Sequence, residues 1–139
     1  MFTTLKSVGL SDVELVSKQN NDSSKSIENI PGSMFKAEVN NDHYLALGNP
    51  KEIGVQFRGN YHLTPTQRGS NVITFKTNGH ISGHKWENTE KDLAGKMYLA
   101  DIPDGDGHVI LFANDPTFRA YWRGLDNLFV GSILLPGGF

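Results

Sequence analysis

His84 and Glu87 read His-x-x-Glu, a spacing that offers a cation one imidazole nitrogen and one carboxylate. His108, the only histidine downstream, would be the third protein ligand and would leave a fourth position for an activated water. Such a trio would make a minimal zinc hydrolase. The pattern fixes only two positions in four, and neither an arginine-rich carboxylate pocket nor a glutamate base accompanies it, so a surface loop is the better reading. His80 and His84, four apart, would share a helix face, but Gly79, Ser82 and Gly83 oppose a helix there. Asp101, Asp104 and Asp106 imitate a calcium loop. With Gly107 at the obligatory turn position, Ile102 and Ala113 fall where ligating carboxylates are needed, so a turn is preferred.

Nucleophilic chemistry has little to build on. There is no cysteine and no Gly-x-Ser-x-Gly elbow, and Ser70, Ser82 and Ser132 have no motif around them. The sequence assigns no catalytic residue and no metal ligand, with His84, Glu87 and His108 as the outside alternative. For binding, Arg119 and Arg123 flank an aromatic run and suit a carboxylate or phosphate, although such arginines more often pair with surface acids. Trp86, with Phe118, Tyr121 and Trp122, suits an aromatic docking surface, but Phe118 and Trp122 read better as core.

The elements that position these residues are short. Strands are expected at residues 33–39, 53–57, 71–77, 96–102 and 108–113, from β-branched and aromatic content between turn signals. Asn78-Gly79 reads as a turn, and residues 103–107 as a hairpin joining the last two strands. Residues 44–48 suit one helical turn or a loop, 61–70 a loop, and 88–94 a short helix ended by Gly95. Ser11 would cap a short helix over residues 12–18, ahead of a polar loop at 19–29. The dominant prediction is one long helix from Pro116 to Ile133. Asp115 would cap it, Phe118, Trp122, Leu125, Leu128, Phe129 and Ile133 would form its apolar stripe, and Pro136-Gly137-Gly138 would stop it. The expected fold is therefore α+β, or a truncated α/β, with a short mixed or antiparallel sheet packed on that helix. Residues 1–29 form an N-terminal segment and 30–139 a single domain.

Composition excludes several function classes. The chain has 139 residues and a net charge of −2, so neither nucleic acid nor an anionic membrane is an expected partner. The absence of cysteine removes disulfides, thiolate catalysis and cysteine-ligated metals. No stretch has transmembrane length and the first residues do not read as a secretion signal.

Three stretches carry a resemblance. ILFANDPTFRAYWRGLDNLFVGSIL contributes, with Gly107 and Val109 just upstream, Leu111, Phe112, Asp115, Pro116, Phe118, Arg119, Trp122, Gly124, Leu128 and Phe129. IPGSMFKAEVNNDHYLALG, residues 30–48, is the second, and ISGHKWENTEKDLAGKMYLADI the weaker third. Together they resemble the C-terminal, class I glutamine amidotransferase-like domain appended to bacterial zinc carboxypeptidases of the carboxypeptidase A family. The pattern departs at Leu125-Asp126 and Gly131-Ser132. The resemblance implies the C-terminal half of a flavodoxin-like domain that is non-catalytic itself and supports or orients a peptidase domain. Zinc is implied only for that peptidase, which in the family is often exported or periplasmic. No cofactor is expected in this chain. A free-standing binding module that self-associates is the alternative.

Overall fold

The computed structural model describes residues 13–17, 27–120 and 122–135. Seven strands form one sheet: β1 (Leu15–Ser17), β2 (Ile30–Val39), β3 (Glu52–Gly59), β4 (Tyr61–Leu63), β5 (Ser70–Gly83), β6 (Met97–Asp104) and β7 (Gly107–Phe112). The order is β1-β4-β6-β5-β2-β3, with β7 also on β6, and each pairing is antiparallel. Two short helices, α1 (Thr89–Leu93) and α2 (Asp126–Leu134), and two 3-10 turns, Tyr44–Ala46 and Phe118–Ala120, complete it.

The period-2 rule explains the core. Along β2, Phe35, Ala37 and Val39 point inward, while Lys36 and Glu38 face water. Four aromatic rings cross the sheet. Tyr98 of β6 meets Phe75 of β5 at 5.7 Å, Phe75 meets Phe35 of β2 at 6.3 Å, and Phe35 meets Phe57 of β3 at 6.3 Å, all edge to face. Phe57 and Phe75 also touch, at 5.6 Å, although β2 runs between their strands. The sheet therefore curls around this face. The register shifts within β2–β5 and β5–β6 supply the bends.

The expected sheet packed on one long C-terminal helix is not what forms. Arg119 (φ 53°, ψ 24°) and Ala120 (φ 52°) are left-handed, so the chain breaks one turn after Pro116. Gly124 follows, and helix begins only at Asp126. Of the predicted stripe, Leu125 and Leu128 are fully buried, whereas Ile133 is 64% exposed. Asp115 caps a turn, not a helix: its Oδ1 accepts from the Thr117 backbone N–H at 2.9 Å and from its hydroxyl at 3.0 Å. The predicted helix stop lies outside the described residues. The half-domain of flavodoxin type is thereby replaced by an antiparallel β fold.

Smaller corrections share one cause, pairing partners distant in sequence. Residues 15–17, expected as helix, are β1 and pair with β4, itself expected as loop. Asn78-Gly79 does not turn. Asn78 takes φ 54° as a bulge, and β5 runs on to Gly83. The strands at 33–39, 53–57 and 96–102, the 103–107 hairpin and α1 lie where expected.

Candidate functional site

Two polar sites lie on this sheet, and they differ in kind. The first surrounds Asp101. Met97 to Ile102 of β6 are buried throughout, so the Asp101 carboxylate, 4% exposed, must be met by donors. Tyr44 donates its hydroxyl to Oδ2 at 2.7 Å. His108 Nδ1 lies 2.7 Å from Oδ1, and His43 Nε2 lies 3.2 Å from Oδ2. Topology brings them together. His108 sits across the β6–β7 hairpin, opposite Pro103, while His43 and Tyr44 open the 3-10 turn after β2. His43 Nδ1 accepts from the Leu45 backbone N–H at 3.3 Å, so this ring donates from Nε2 and has both nitrogens engaged. Burial, partly offset by Asp101, lowers the His43 pKa. Burial and the bond to Asp101 raise that of Tyr44. An open hollow of about 510 Å³ adjoins the group, with Ser70 and Arg68 on its walls.

The second site is a cavity of about 370 Å³ on the sheet face opposite the aromatic core. Alternation places Gln56 and Arg58 of β3 on that face, because Val55 and Phe57 take the other. Met34 of β2 pairs with both Gln56 and Ser82, so β2, β3 and the end of β5 form the floor. Gly83 is required there. Its φ is +93°, and a Cβ would stand 2.7 Å from Ser33 Oγ and 2.9 Å from the Gly32 carbonyl. Ser33 Oγ donates to the His84 carbonyl, which fixes the same crossing.

Phe118, Arg119 and Trp122 form the wall of this open cavity. Asn114 Oδ1 accepts from the Arg58 backbone N–H at 3.0 Å and ties this segment to β3. The Trp122 ring rests over Gly54, 3.5 Å from where a side chain would begin. The Arg119 guanidinium lies 5.1 Å from the centre of the Phe118 ring. Among the described residues no carboxylate lines the cavity, and neither Arg58 nor Arg119 pairs with one. Residues 31–34, Ser82 and Gly83, and Phe118, Arg119 and Trp122 meet here.

The sequence candidates are dispersed. Arg119 lines the cavity, whereas Arg123 is exposed and does not. Trp86 is 43% exposed, donates its indole N–H to the Asn29 carbonyl at 3.1 Å and packs on His84 at 4.7 Å. His84 and Glu87 lie in the exposed segment before α1, whereas His108 is held at Asp101. Among the described residues no three His, Cys, Asp or Glu side chains converge as a metal site requires. Ser132 Oγ donates to the Phe129 carbonyl at 2.6 Å.

Sequence reasoning passes over Arg58, and it weighs Asp101 and His108 separately without joining them to each other or to His43 and Tyr44. Arg58 was readable from Val55-Gln56-Phe57-Arg58, whose alternation puts both polar side chains on one face. Asp101 was readable as a lone carboxylate in an apolar strand, which demands donors, but its partners come from other elements. Compared with known proteins, the chain matches no protein-family model, no curated protein and no solved structure.

Proposed function

We propose that this chain is a non-catalytic accessory module, related to the domain appended to bacterial zinc carboxypeptidases, and that it supports or orients a peptidase domain. The observation that carries this reading is the outer face of α2. Val130 is 48% exposed, Ile133 64% and Leu134 73%. Phe129, at 36%, packs on Phe112 at the base of that face. Adjacent apolar side chains left in water on one short helix favour a covering surface. The motif correspondence supplies the kind of surface: the peptidase domain that such modules accompany.

The test begins with the nucleotide sequence before the Met1 codon. An in-frame domain with His-x-x-Glu and a distant third histidine supports the reading. Joined to that domain, Ile133→Asp with Leu134→Asp should loosen the two parts and leave the circular dichroism of this module unchanged. Zinc-dependent release of C-terminal residues by the isolated chain would overturn it. A second reading rests on the same helix face: a free-standing module that self-associates through α2. Sedimentation showing a concentration-dependent dimer, abolished by the same two substitutions, would favour it.

A further inference from the structure

We infer that the open cavity walled by Arg119 and Trp122 is a binding site for a small organic anion. A carboxylate or phosphate head would lie at Arg58 and Arg119, and a flat apolar body against Phe118 and Trp122. This goes beyond the accessory role and does not depend on it.

Charge is the first argument. Two guanidinium groups border one cavity, and among the described residues no acid lines it and neither arginine has an acidic partner. Arginine's planar fork matches carboxylate and phosphate oxygens with paired hydrogen bonds. Backbone conformation is the second. Arg119 and Ala120 are consecutive non-glycine residues at φ 53° and 52°. Such strain persists only where the surroundings over-determine it, and it concentrates at ligand clamps. Here it places Arg119 and Trp122 on the same cavity. Shape is the third. A volume of about 370 Å³ lies at the small end of ligand pockets, and its aromatic walls suit one planar group.

The chain has two tryptophans, so Trp86→Phe leaves Trp122 as the only indole reporter. Benzoate, phenyl phosphate, inorganic phosphate and neutral benzamide are titrated into this variant, following Trp122 fluorescence and its indole N–H resonance. Benzoate or phenyl phosphate should saturate in the millimolar range, and the tighter of the two identifies the head group. Benzamide and inorganic phosphate should each bind at least tenfold more weakly. Arg119→Ala and Arg58→Ala should each weaken binding about tenfold, Arg119→Lys should restore part of it, and Arg123→Ala should change nothing. Both cavity arginines are exposed, so these variants should fold, and circular dichroism checks that they do. Benzamide binding as tightly as benzoate, inorganic phosphate binding as tightly as phenyl phosphate, or no saturable change with any probe would overturn the proposal.

Discussion

The Asp101 group and the arginine cavity lie on one sheet and use hydrogen-bonding capacity in opposite ways. Asp101 receives three donors, and His43 has both ring nitrogens engaged. The cavity keeps two exposed cations without acids among the described residues. Saturated polar groups hold a fold in register, and unsatisfied ones wait for something outside it. The difference teaches that the more conspicuous cluster of titratable side chains is here the structural one.

The largest effect should come from breaking the saturated side. Asp101→Ala removes the buried acceptor shared by Tyr44, His43 and His108 and should cost about 3–5 kcal/mol in urea unfolding. Benzoate affinity of whatever remains folded should be unchanged. A stable variant with altered ligand binding would merge the two sites.

Acid should act on the same interior next. Burial and nearby Lys96 push the His62 pKa down to about 4, and burial lowers that of His43. The unfolded chain then binds protons that the folded one refuses, so stability is intact above pH 6.5 and falls as pH drops toward 4. His62 alone accounts for up to about 3 kcal/mol of this loss. His62→Gln should flatten the curve in a series of melts between pH 7 and 4.

The strained clamp should respond more modestly. Ala120→Gly relieves a left-handed alanine and should stabilise by about 1 kcal/mol. It should also weaken benzoate binding, because Arg119 is held less firmly; tighter binding would show that the strain opposes the ligand. Smallest of all is a control on what an orphan polar group means. The Tyr98 hydroxyl is fully buried with no partner among the described residues. Tyr98→Phe should be neutral or stabilising, within about 1 kcal/mol, with no effect on binding.

What could be read from the sequence depended on range. Phe35, Ala37 and Val39 announce a strand because alternation is local, and Asp104-Gly105-Asp106 announces its hairpin for the same reason. Leu15–Ser17 and Tyr61–Leu63 are too short to carry a period and become strands only by pairing with each other. The 116–133 stripe misled because threefold and fourfold spacing is necessary for a helix but not sufficient. Nothing in Arg119 or Ala120 forecasts a left-handed backbone, since neither residue type prefers it. Arg119 was legible as an anion ligand from its type and aromatic neighbours. Arg58, which joins it from β3, was not found by adjacency.

β6 is shared by three neighbours: β5 on one side, β7 and the Leu63 end of β4 on the other. During synthesis the β2–β3 hairpin leaves the ribosome early, with Phe35 and Phe57 already patterned for a core. The ring that extends their row, Tyr98, arrives only with β6. At translation rates of roughly 5–20 residues per second, that interval lasts several seconds. For that time a half-built sheet displays its greasiest surface to solvent. Substitutions that slow docking of β6 should therefore lower yield before they lower stability.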